Sequence, residues 1–96
     1  MNRDEAISRL RSHKADIKRF GVKSLGMFGS VARNEAGPDS DLDLIVEFDS
    51  PATYDRYIGL KMLLEDVLGC RVDLVTSRAI KPRMRPSVER DIVRVA

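Results

Sequence analysis

GSVARNEAGPDSDLDLIVEF, residues Gly29 to Phe48, is the stretch on which the reading of this chain turns. It opens on Gly29-Ser30, crosses ten residues and arrives at Asp41-Leu42-Asp43. From Asp41 to Asp49 polarity alternates. Leu42, Leu44, Val46 and Phe48 fall on one face, and Asp41, Asp43, Ile45 and Glu47 on the other, as in a half-buried strand. Asp41 and Asp43 therefore project the same way, with Cα atoms about 6.5–7 Å apart. Two carboxylates so placed repel each other unless a cation sits between them. Magnesium suits the position, because it takes oxygen ligands from one or two carboxylates plus substrate phosphates. Taken alone, a D-x-D is more often a pair of solvated strand residues.

The upstream residues give the pair its context. Val22 to Phe28 is an apolar run that reads as a strand, and Ser30 to Glu35 reads as a brief helical turn. Gly29 lets the backbone approach a ligand closely, and amides at a helix start favour phosphate oxygens. Ser30 adds a hydroxyl donor, and Arg33, one turn on, can reach a phosphate oxygen. A Gly-Ser pair by itself marks ordinary turns. Placed between an apolar strand and an acidic one, it reads as half of a site for a nucleoside triphosphate and its magnesium. The chemistry implied is nucleotidyl transfer.

Around this centre the pattern predicts a helix from Asp4 to Phe20, ended by Gly21, and a loop at Gly37-Pro38-Asp39-Ser40. A second helix spans Thr53 to Leu68, with an apolar stripe of Leu60, Leu63, Leu64, Val67 and Leu68 and Gly69 to close it. Arg71 to Val75 reads as a strand with Asp73 in its middle. If it neighbours the first acidic strand, Asp73 joins Asp41 and Asp43 on one face, and three carboxylates suit a two-ion site. An edge-strand solubility charge is the competing account of Asp73. After Thr76, two short helical pieces are expected, the last over Ser87 to Val95. Helices alternating with strands give an α/β (α+β) class, a small mixed sheet flanked by helices.

Composition bounds the function. The chain has 96 residues, read as one domain over 1–96, enough to bury roughly 60–68% of its unfolded surface. With 43% hydrophobic and 33% charged residues it is an ordinary globular chain, and a net charge of +2 is too small to mark a nucleic-acid surface. Lys81, Arg83, Arg85, Arg90 and Arg94 are interleaved with Glu89 and Asp91, so a solvated or partner-docking face is expected rather than direct nucleic-acid binding. Cys70, the sole cysteine, excludes an internal disulfide and reads as a small core residue. Charge through residues 1–20 and the lack of a long apolar run point away from a membrane, to a cytoplasmic setting. His13 lies far from the motif, and Tyr54 and Tyr57 are expected in the core, with a nucleobase pocket or partner surface as the alternative.

The string resembles the signature of the DNA polymerase β-type nucleotidyltransferases, with a G-S turn before D-x-D and a third acidic residue on a later strand. More narrowly, the Gly29-Ser30/ten-residue/Asp41-x-Asp43 spacing, the Val72-Asp73-Leu74-Val75 strand and the ending IKPRMRPSVERDIVRVA are similar to the minimal nucleotidyltransferases. These are MntA-like antitoxins paired with HEPN-type ribonuclease toxins. The resemblance implies that Asp41, Asp43 and Asp73 bind magnesium, two ions in all, with Asp41 and Asp43 catalytic, and that Gly29 and Ser30 hold the triphosphate. It also implies AMP transfer from ATP to a tyrosine of the toxin, within a hetero-oligomer with that toxin. Many relatives carry Gly where this chain has Asn34, a residue that tolerates left-handed backbone angles. Two other functions compete: transfer to an RNA or small-molecule acceptor, and non-catalytic masking of the partner. The small size favours an acceptor that brings its own surface. Retention of all three carboxylates and the Gly-Ser turn favours catalysis over masking.

Overall fold

The computed structural model describes residues 2–35 and 41–96. In chain order these form α1 (Arg3–Ser12), α2 (Lys14–Lys18), β1 (Val22–Phe28), α3 (Gly29–Ala32), β2 (Leu42–Phe48), α4 (Tyr54–Leu68) and β3 (Val72–Thr76). A 3₁₀ turn (Ser77–Ala79), α5 (Arg85–Asp91) and β4 (Val93–Arg94) complete the chain. The loop expected at Gly37-Pro38-Asp39-Ser40 lies outside the described residues.

Four strands of the described residues make one sheet in the order β3-β2-β1-β4. β1 runs antiparallel to β2 and to β4, while β2 and β3 are parallel, joined by a crossover through α4. This is the small mixed sheet with flanking helices that the sequence predicts. Alternation along each strand sorts the two faces. Leu25, Met27, Leu42, Leu44, Val46, Val72 and Leu74 turn inward to a core completed by Leu10, Ile17, Leu60, Leu64 and Leu68 of the helices. Phe28, Asp43 and Asp73, and Gly26, Ile45 and Val75, turn to the opposite, open face.

α4 is bounded as its sequence demands. Thr53 Oγ1 accepts from the Arg56 amide at 3.2 Å, and Gly69 closes the helix in the left-handed conformation. Tyr57 packs against the core and donates its hydroxyl to the Leu74 carbonyl, tying α4 to β3 beside Asp73. Tyr54 departs from expectation. At the first turn of α4 it points outward and is 77% exposed, so it has no core role. Cys70 is half-buried against the core, and burial pushes its thiol up from the ordinary value, away from reactivity.

Two further expectations are corrected. The helix foreseen from Asp4 to Phe20 breaks at His13. Ser12 Oγ donates to the Arg9 carbonyl at 2.7 Å, and His13 Nδ1 lies 3.0 Å from the same oxygen. The His13 amide turns instead to the Leu10 carbonyl, 3.1 Å away, and the continuous ladder ends. The helix foreseen over Ser87 to Val95 covers Arg85–Asp91, after which Ile92 is extended. Val93 and Arg94 pair with Met27 and Gly26, and the Val95 amide donates to the Leu25 carbonyl at 2.8 Å. The open edge of β1 outbids local helix preference there.

Asn34 sits at φ +60°, the left-handed region foreseen for it. Replacing it with Ala should cost about 1 kcal/mol, whereas Gly should leave stability unchanged or slightly higher. Urea denaturation midpoints of the two variants check this; equal losses in both would show that the Asn side chain, not backbone handedness, matters.

Candidate active site

Strand register assembles the site. Phe28 stands opposite Asp43 across β1 and β2, and Asp43 stands opposite Asp73 across β2 and β3, so all three side chains share one row of the open face. The carboxyls of Asp43 and Asp73 lie side by side, close enough for a protonated Asp43 to hydrogen-bond its neighbour. Partial burial first, then the charge of Asp73 and that hydrogen bond, then the charge of Asp41, push the Asp43 carboxyl up to about 6. Asp41 immediately precedes β2, is exposed, and acts on Asp43 through its charge. The expected convergence of three carboxylates is thus two in direct contact and one at longer range.

β1 delivers Gly29 against this pair. Gly29 has φ +76°, and a Cβ there would overlap Asp43 Oδ2. Only a residue without a side chain lets the turn lie so close to the carboxylate. Ser30 and Val31 continue into the single turn of α3, whose first amides have no partner within the helix.

Arg33 is differently employed from expectation. Its Nη1 lies 2.7 Å from Asp91 Oδ2 and its Nε 3.0 Å from Glu35 Oε2, so two carboxylates already hold the guanidinium. Those two hydrogen bonds, Glu35 foremost, raise its pKa further above the ordinary value. Asp91, 13% exposed, ties α5 to the Gly29 turn through this pair. A cavity of about 380 Å³ opens there, lined by Gly29, Arg33, Arg83, Met84 and Ser87 among others. Arg83 and Asp91 are the site-facing residues that sequence reading missed. Both lay in a charged segment that reads as a solvated face, and only the docking of α5 brings them to Gly29. His13 and Tyr54 stand elsewhere.

The donor set fits magnesium. Asp43 and Asp73 offer only oxygen, and the negative charge crowded around Asp43, which helps to push its carboxyl up, is what a cation would relieve. Among the described residues, no three His, Cys, Asp or Glu side chains converge enough to hold a metal by themselves. A site of two carboxylates completed by substrate phosphates has that form.

A family model described as the nucleotidyltransferase domain matches residues 10–95. The chain belongs to that family. It is 41% identical over 93 residues to the protein adenylyltransferase MntA of Thermococcus cleftensis, covering 96% of this chain and 94% of the relative. A solved minimal nucleotidyltransferase superimposes with a TM-score of 0.84 at 40% identity, over 97% of this chain and 95% of the other. A tri-AMPylated HEPN toxin from Shewanella oneidensis, solved in complex with its MNT antitoxin, gives a TM-score of 0.66 at 17% identity, over 94% of this chain and 71% of that one, a likeness of fold. The chain is a nucleotidyltransferase of the minimal, MntA-like kind.

The raised carboxyl makes this site a stability cost. Asp43 titrates near 6 when folded and near 3.8 when unfolded, so between those values the folded chain holds a proton that the unfolded chain has lost. Its contribution therefore falls as pH rises from about 4 to about 6 and stays low above. Asp43→Asn should melt about 3–6 °C higher than the parent at pH 7.5, with the gap narrowing toward pH 4. Magnesium should raise the parent's melting temperature and not the variant's. A calorimetric series in pH checks both; a gap independent of pH would remove charge as its cause.

Proposed function

We propose that this chain is an antitoxin which transfers AMP from ATP, with magnesium, to a tyrosine hydroxyl of a partner HEPN-type ribonuclease toxin and so silences it. The observation that carries the reading is the Asp43–Asp73 pair, in register and in contact, with Gly29 pressed against it. The adenylyltransferase name of the Thermococcus relative supports AMP as the group moved, and the AMPylated toxin bound to an MNT antitoxin supports the partner.

In this reading the acceptor oxygen attacks the α-phosphorus in line, the bond to the bridging oxygen breaks, and pyrophosphate leaves. Gly29 and Ser30 hold the triphosphate with backbone amides and a hydroxyl. Arg33 presents charge to the same phosphates as its hold on Glu35 and Asp91 loosens, and Arg83 lies across the same cavity. Asp43 and Asp73, with Asp41 beside them, would hold the metal, which would supply neutralisation of the phosphate oxygens and acidification of the attacking hydroxyl. Asp73, exposed at the other end of the row, opens it to water that carries the acceptor's proton away. The chain's own contribution is chiefly position and preorganised charge.

Incubation with α-labelled ATP, magnesium and a co-expressed HEPN-type partner, read by intact mass, should give AMP-sized additions to the partner. Asp43→Asn and Asp73→Asn should lower the rate at least about 100-fold while still binding the partner. A partner bound and silenced without added mass would sink the catalytic reading in favour of masking. Arg33→Ala should weaken ATP binding about tenfold, the size of a lost charge-assisted hydrogen bond, as read by titration calorimetry.

A further inference from the structure

Two residues along the strands from the carboxylate row, the open face changes character. Gly26, Ile45 and Val75 stand in register there, with Arg94 of β4 opposite Gly26. A cavity of about 340 Å³ opens on this part of the face, lined by Gly26, Ile45 and Ile92, with Ser77, Glu47 and Arg94 around it. Gly26 makes room for Ile92 at the edge of this cavity. A glycine inside a strand forfeits packing and costs backbone entropy. Here a Cβ would come within 2.8 Å of Ile92 Cδ1 and Cγ1, so any larger residue would push Ile92 off the sheet. Ile92 is 42% exposed although its branched side chain rests on β1.

The cavity adjoins the reacting centre. Asp43 and Ile45 are i and i+2 on one face of β2, about 6.5–7 Å apart, and Asp73 and Val75 are related in the same way on β3. An extended polypeptide repeats that step, so a segment lying along β2 with its hydroxyl at Asp43 would place its next same-side residue over Ile45. In-line displacement requires the acceptor to approach from the side away from the leaving pyrophosphate, and Gly29 and Ser30, which would hold that group, lie across the row from the cavity. The walls are apolar and the rim carries both a carboxylate and a guanidinium, a lining suited to a polypeptide and not to a phosphate backbone. Of the exposed large hydrophobics among the described residues, only Ile92 lies here, too little for a second copy to dock stably.

We infer that the cavity framed by Gly26, Ile45 and Ile92 seats an aliphatic or aromatic side chain of the acceptor protein, two residues from the hydroxyl that is modified. This rests on the adenylyltransferase reading and adds to it the element that selects the acceptor. The test compares the full-length protein with Ile92→Ser, which strips the wall, and Ile92→Phe, which fills the cavity. Each should raise the KM for the toxin about tenfold, with kcat within about twofold, the ATP Kd unchanged and the chain still folded at the assay temperature. An unchanged KM in both variants overturns the cavity while leaving the adenylyltransferase reading intact. If the parent itself adds no AMP, that reading fails, and the cavity is judged on the Kd for the toxin. It then stands only if both variants weaken that Kd about tenfold. Should Ile92→Ser instead turn a dimer of this chain into a monomer, without effect on the KM, the face belongs to a second copy and the inference falls.

Discussion

Like charge forced into contact is the constraint on which the rest of this structure depends. Parallel pairing of β2 and β3 sets Asp43 beside Asp73, and the neighbour's charge helps to push the Asp43 carboxyl up. Neither can turn away without breaking the alternation that puts Leu42, Leu44, Val72 and Leu74 in the core. The hydrophobic face of the sheet therefore holds its acidic face in an unfavourable arrangement. α4 reinforces this from behind, because its stripe of Leu60, Leu64 and Leu68 fixes the crossover between the two strands and Tyr57 holds the Leu74 carbonyl. A slip of one residue in the β2–β3 register would send one aspartate into the core and dissolve the site.

Much of this was legible from residues alone, and the reasons are physical. β2 and α4 carry strong periodicities, period two in one and a helical stripe in the other, and both appear nearly where the pattern puts them. The pairing of Asp43 with Asp73 needed one further step, the adjacency of two strands joined by a helix. What stayed hidden depends on contacts remote in sequence. β4 is two residues long inside a segment that reads as helix, and it exists because β1 has a free edge. Arg33 looked like a free phosphate ligand because nothing local reveals that Asp91 reaches it from α5. The break at His13 arises from competition for a single carbonyl oxygen, a contest too local and too evenly balanced for periodicity to register.

The open face thus has a division of labour along the strands. At the Gly29 end, Arg33 and Arg83 gather around the cavity beside the turn. In the middle stand the carboxylates. Two residues further on, Gly26, Ile45 and Ile92 line a cavity with room for an apolar side chain. Sheet twist and strand spacing set the distances among these zones, so one short stretch of sheet carries a glycine turn, a carboxylate row and an apolar cavity side by side.

The short strand β4 also bears on how the molecule is made. Its pairing joins Ala96 to Leu25, a contact that closes a loop of roughly seventy residues and gains only a few hydrogen bonds in return. Such a contact cannot form early. β1, β2 and β3 with α4 have enough apolar surface to come together first, and β4 docks on an edge that is already in place. A chain still emerging from the ribosome would therefore own its carboxylates before it owned the wall that Ile92 supplies. Docking of β4, rather than assembly of the carboxylate row, marks the moment at which the open face takes its final shape.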